Sequence, residues 1–298
     1  MFKIIKELVR QTKSYVNRDE PALLTFLFHS IFKNEEEFQH KLIDPQQYVT
    51  LDVYRWFIEY FLDAGYKFIS PEDLKDLSPE GKYILSTFDD GYFNNTYVLP
   101  LLEEYKTPAV FFITTDNVIN QECFWWDVVF RELSKQGLER KAISKEQGKL
   151  KSFKHPELVI ELKKRFGEDC FVPQGELDRP LTINELKDFS KHEYVHIGNH
   201  TKNHYILDKY TYAQQAEQIT GCSQSLEDIL GSKSEIIAYP NGNYNEDTLR
   251  ASADFDFGIT VKKRKNFLPI DNPLELGRHV LWGNKSLKRQ GDIFRSNW

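Results

Sequence analysis

The chain has 298 residues, 40% hydrophobic and 14% aromatic, which is enough apolar material for one large domain or two small ones. Its 39 basic and 45 acidic side chains leave a formal charge of −6, which gives no general reason to expect a nucleic-acid partner. Three scattered cysteines, Cys123, Cys170 and Cys222, form no Cys-x-x-Cys pair; they exclude a disulfide framework and fit a reducing compartment.

Residues 1–16 mix Lys3, Lys6, Arg10 and Lys13 with Phe2, Ile4, Ile5, Leu8 and Val9, with no apolar stretch long enough for a signal peptide or a membrane-spanning helix. A helix over 1–21, docked on a domain of residues 22–298, is the first expectation. Peripheral contact of 1–16 with an anionic membrane is the second, so the expected location is cytoplasmic, with the inner membrane face included. The run Ala22–Phe28 reads as a buried strand leading into His29. From 45 to 66 apolar residues recur at three- and four-residue spacing, which predicts an amphipathic helix ended by Gly65. Strand and helix then alternate: strands at 66–69 and 83–88, a helix over 97–105, and a strand at 109–114. After a long break come a strand before His200, a helix over 213–230, and strands at 235–239 and 257–261.

This alternation implies parallel strands covered by helices, in either a closed barrel or an open sheet. His29, the pair Asp89 and Asp90, His200 and Asn241 fall just after the ends of different predicted strands, which is where a barrel assembles its site. Between about 116 and 190 the alternation lapses. The pattern there predicts two or three helices inserted in one connection, with too few apolar residues for a second core, and placed as one wall of a substrate groove. Tandem Trp125 and Trp126 at its root are read as packing residues, with stacking on sugar rings as the rival. His192 and His196 are expected at the surface or in the core. The basic run 262–265 reads as a solvated loop, with an anionic diphosphate or lipid headgroup as its alternative partner.

Two adjacent carboxylates, Asp89 and Asp90, stand at a strand end before Gly91. Like charges side by side need either bulk water or a bound cation, with one carboxylate ligating and the other left for proton transfer. His200 and His204, four apart after another strand, are expected on one side of a helical turn, where two imidazoles reach one metal ion. Together the clusters predict a metal site.

The segments TFDDG at 87–91, GNHTKNH at 198–204 and AYPNGNY at 238–244 resemble the first three motifs of the NodB-type polysaccharide deacetylases, carbohydrate esterase family 4. The resemblance runs from about 22 to 282 with one interruption. It implies a distorted (β/α) barrel of the polysaccharide deacetylase type, here with a helical insertion. It also implies Asp89 as general base and Asp90, His200 and His204 as ligands of a divalent metal, Zn2+ first, with Co2+ or Ni2+ fitting the same donors. Two departures stand out. Ala238 occupies the place of an arginine that braces the base, and Asn241 that of a tyrosine, as in the branch containing poly-N-acetylglucosamine and surface-polysaccharide deacetylases. The backbone N–H of Asn241 still suits an oxyanion donor. The usual late Leu-x-His is replaced by Leu276-Gly277-Arg278-His279, so His29, in a Phe-His-Ser sequence after the first strand, is expected as general acid ahead of His279. The implied function is removal of an N-acetyl group from an amino sugar, with a saccharide, sugar nucleotide or lipid-linked saccharide as substrate. The alternatives are an O-deacetylase, a deformylase, or a catalytically weak glycan-binding subunit.

Overall fold

The computed structural model of the protein describes residues 19–296. Most of the expected amino-terminal helix, and all of the expected membrane contact, lie outside those residues. Residues 19–21 are irregular chain, not helix.

Strand β1, Ala22–Phe28, is buried along its whole length. Helix α1 spans Leu51–Asp63 and is capped by Thr50, whose side chain accepts from the Val53 N–H. It buries Tyr54, Phe57, Ile58 and Phe61, one face at helical spacing. It starts later than the periodicity predicts, because Gln46 and Tyr48 at φ 41° and 55° turn the chain before Thr50. Then follow β2 (Lys67–Phe68), β3 (Lys82–Phe88), α2 (Leu99–Tyr105) and β4 (Ala109–Ile113). The predicted 97–105 helix is α-helical only over α2, with a 3₁₀ turn at Phe93–Val98 leading in.

The connection from β4 to the next strand carries α3 (Thr115–Asn120), α4 (Trp125–Lys135), α5 (Arg140–Leu150), α6 (His155–Phe166) and α7 (Ile183–Phe189). This exceeds the two or three helices expected. It also has the small core that composition argued against: Val128, Val129, Leu133, Ile143, Leu150, Leu158 and Leu162 pack together with Cys123, Cys170 and Phe171. Short amphipathic helices need only one apolar stripe each, so a charged stretch still closes a core. The remaining elements are β5 (Val195–Asn199), α8 (Tyr212–Leu230), β6 (Ile236–Ala238), α9 (Glu246–Ala251), β7 (Phe257–Ile259), β8 (His279–Val280) and α10 (Leu287–Arg295).

The strands run in the order β7-β6-β5-β4-β3-β1-β8, every pair parallel, with β2 against the start of β3. The stretch 276–280 touches both edges: Leu276 bridges Ile259 of β7, while His279 and Val280 pair with Phe26 and Leu27 of β1. The sheet thereby curls into a distorted barrel. Strand alternation divides its side chains. Leu24, Phe26, Phe28, Ile84, Phe88 and Phe111 face the helices, whereas Leu23, Leu85, Val110, Phe112, Ala238 and Ile259 form a separate inner cluster. The residue after each strand therefore emerges at one rim.

Candidate active site

At the end of β3 the Asp89 N–H donates to Phe28 O at 2.9 Å, continuing the ladder, and the chain then turns through Asp90 and Gly91 at φ 83° and 91°. A left-handed aspartate costs about 1–2 kcal/mol, a strain typical of functional turns. The turn gives the two carboxylates different surroundings. Asp89 is gripped by Arg278, whose Nη1 and Nη2 donate to Oδ1 and Oδ2 at 2.7 and 2.8 Å. The same guanidinium donates to Thr260 O at 3.0 Å and Thr87 Oγ1 at 3.2 Å. Burial, the largest single influence, pushes the Asp89 carboxyl up, but Arg278 and then His200 outweigh it and hold it down at about 2. Asp90 is different. It is fully buried, and neither carboxylate oxygen has a hydrogen-bond partner among the described residues.

His200 follows β5, and its Nδ1–H donates to Ala238 O at 2.8 Å, which leaves Nε2 unprotonated toward the carboxylates, 3.5 Å from Asp90 Oδ1 and 3.8 Å from Asp89 Oδ2. Burial lowers its proton affinity most, yet Asp89 and Asp90 outweigh burial and the net shift is upward. His204 Nε2 is also 3.5 Å from Asp90 Oδ1, and burial above all drives that imidazole down to about 3. The two histidines do not share a helical turn. Residues 200–206 are an irregular loop with Thr201 and His204 at φ 66° and 52°. Helix α8 shapes it from outside: Gln218 accepts from the Lys202 and Asn203 N–H groups at 3.1 and 2.9 Å. The Trp126 ring, 4.7 Å from the His204 ring, closes it from the insertion.

One ligand atom each from Asp90, His200 and His204 lies within 4.8 Å of the others. A buried carboxylate with no donor, facing two imidazole nitrogens, is costly as it stands and fits a divalent cation with two nitrogen and one oxygen ligands.

His29 follows β1. Its Nδ1 lies 2.9 Å from Gln47 Oε1, an acceptor, which assigns the proton to Nδ1, while Gln47 Nε2 donates to Leu27 O at 2.6 Å. Asn241 sits at φ 56° in the turn after β6. His29, Asp89, Asp90, His204, Asn241 and Arg278 line one cavity of about 450 Å³. Trp125, Trp126, Arg140 and Lys151 of the insertion line it too, so Trp126 both packs and faces the site. A larger cavity, about 680 Å³, lies among residues 263–296 and holds none of these groups. His279 lines that one, against Phe26 and Phe294, and burial above all lowers its imidazole to about 4. His192 and His196 pair at the surface with Glu103 and Glu72.

Sequence reading missed Arg278, although its signal was present: in 276–280 Leu276 and Val280 turn inward, so Arg278 does too and His279 turns out. It also missed the anchor beneath the insertion. There Tyr92 OH donates to Asp127 Oδ2 at 2.5 Å and accepts from Trp126 Nε1 at 2.8 Å, while the Asp44 N–H donates to Asp127 Oδ1 at 2.9 Å. Burial above all raises Asp127 well above the usual carboxylate range.

The family model described as polysaccharide deacetylase matches residues 76–259, which include both carboxylates, both histidines and Asn241. The chain belongs to the polysaccharide deacetylase family. His29 and Arg278 fall outside the matched span of this deacetylase-family chain. It is 23% identical over 260 residues to YxkH of Bacillus subtilis, described as a polysaccharide deacetylase, covering 84% of this chain and 69% of that one. Among solved structures it shares its fold with the deacetylase PplD of Streptococcus pyogenes (TM-score 0.61, 19% identity, 93% and 98% coverage). The de-N-acetylase of Aggregatibacter actinomycetemcomitans (0.64, 15%, 91% and 99%) and IcaB of Ammonifex degensii (0.61, 17%, 93% and 98%) are also similar.

Proposed function

We propose that the chain is a metal-dependent hydrolase that removes an N-acetyl group from an amino sugar in a saccharide bound for a surface polysaccharide. The observation that carries this is the division of labour between neighbours: Asp90 buried and undonated beside two imidazole nitrogens, Asp89 bound by Arg278. Asp90, His200 and His204 would hold a divalent ion, zinc by donor set, which would supply Lewis acidity toward the amide carbonyl and toward the attacking water. Asp89, kept ionised by Arg278, takes the proton from that water. The Asn241 N–H donates to the oxygen of the acetyl group as charge develops on it. His29, its Nδ1–H held by Gln47, acts in this step as the imidazolium and gives its Nε2 proton to the departing amine, leaving the neutral Nδ1–H ring. Trp125 and Trp126 offer apolar faces to the sugar.

Arg278 takes the bracing role that Ala238 cannot, which supports catalysis over a binding-only subunit. The description of one structural neighbour as a de-N-acetylase supports an amide substrate. The substrate in this proposal is a sugar nucleotide or lipid-linked saccharide met on the cytoplasmic side. The test is release of acetate from matched N-acetylated and O-acetylated saccharides and of formate from the N-formylated one, with and without added zinc. Release from the N-acetylated set alone supports the proposal, and release from esters or formamides alone replaces it.

A further inference from the structure

Lys151 caps the carboxyl end of α5, where a lysine ordinarily folds back over the last helical carbonyls or extends into water. This one instead spans the mouth of the catalytic cavity, and its Nζ donates to Asn241 Oδ1 at 2.6 Å. Its own backbone carbonyl accepts from Lys209 Nζ, which places a second ammonium-bearing side chain behind it. Among the described residues neither has a carboxylate partner. The nearby Asp208 is engaged by Asn243 Nδ2 at 2.7 Å, and the other cations of the cavity are compensated, Arg140 by Asp44 at 2.8 Å and Arg278 by Asp89. Among the described lysines and arginines lining the cleft, Lys151 is thus the one that no carboxylate answers, and it is held there by a neutral amide that an anion displaces readily.

Resting on the proposed deacetylation, we infer that Lys151, with Lys209 behind it, recognises an anionic substituent of the substrate, so that the enzyme selects N-acetylated sugars bearing a phosphate or a carboxylate over neutral ones. Lys151 in this reading is a specificity-determining residue at the edge of the site.

The test compares kcat/KM for N-acetylglucosamine 1-phosphate, an N-acetylated disaccharide carrying a uronic acid, and neutral diacetylchitobiose. The enzymes are the parent, Lys151→Gln, Lys151→Arg and Lys209→Gln. Loss of a charge-assisted contact predicts that Lys151→Gln loses roughly tenfold or more in the ratio of anionic to neutral kcat/KM, that Lys209→Gln moves the ratio the same way, and that Lys151→Arg keeps it. The phosphate and carboxylate arms show which anion is taken. Calorimetric binding of the same compounds provides a readout independent of turnover. A parent with no preference for the anionic sugars in turnover or binding, or a Lys151→Gln ratio equal to the parent's, overturns the inference while leaving deacetylation intact. Charge-selective binding lost in Lys151→Gln, with no acetate released from any compound, sinks the deacetylation reading and leaves the anion site standing.

Discussion

Arg278 reaches Asp89 from 189 positions later in the chain and binds both of its carboxylate oxygens. The segment bringing it there, just before β8, touches both edges of the sheet, so the contact that closes the barrel also sets the guanidinium on Asp89. Its other donors are spent on Thr260 O and Thr87 Oγ1, which fix the guanidinium plane.

Replacing Arg278 therefore acts on stability and on pH dependence. Arg278→Met leaves Asp89 buried and unpaired, a loss of about 3–5 kcal/mol in urea unfolding. The Asp89 carboxyl sits at about 2 in the fold against a reference of 3.8, so this contribution is complete above the reference value and disappears as pH falls through the folded one. Without the guanidinium the Asp89 carboxyl rises. The acid limb of the kcat/KM profile then moves to higher pH, whereas an unmoved limb disconnects Arg278 from the base.

Metal content separates the neighbouring carboxylates. His200→Ala and Asp90→Asn are expected to lose zinc by elemental analysis after dialysis, while Asp89→Asn keeps it. Equal zinc in the parent and His200→Ala removes that imidazole from the ligand set.

Tyr92→Phe tests how the insertion supports the site. It deletes the donor to buried Asp127 and the acceptor for Trp126 Nε1, at a cost of about 1–3 kcal/mol. With Trp126 loosened, His204 loses its neighbour, and zinc affinity is expected to fall together with stability. Unchanged zinc affinity in a destabilised variant confines the network to packing.

His29 and His279 are distinguished by leaving group. His29→Ala is expected to lose amide turnover far more than turnover of an activated ester, whose leaving group needs no proton. His279→Ala, which empties space between Phe26 and Phe294, is expected to lower stability and affect both substrates alike. The reverse pattern moves the general acid to His279.

The parallel strands were legible because buried runs such as Ala22–Phe28, apolar except for Thr25, and Ala109–Ile113 carry no charge, and the candidate site because its donors follow directly after such runs. The conformation of the His200 loop was not. A four-residue spacing reads as helical, but here left-handed Thr201 and His204 bring the rings together, and the Gln218 contacts that hold the loop come from a distant helix. Arg278 was legible only through the alternation of its strand, too short a segment to read alone. The core of the insertion stayed hidden because its apolar residues are spread over helices whose exposed faces are strongly charged.

The central claim is that a metal on Asp90, His200 and His204 and a separate base at Asp89 together cleave an N-acetyl amide. Acetate release from an N-acetylated saccharide, followed in the parent and in zinc-loaded Asp89→Asn, before and after chelation, tests it most directly. The account predicts turnover in the parent that chelation abolishes and zinc restores, with none from Asp89→Asn despite a full complement of zinc. Turnover that survives chelation, or that persists in Asp89→Asn, contradicts it.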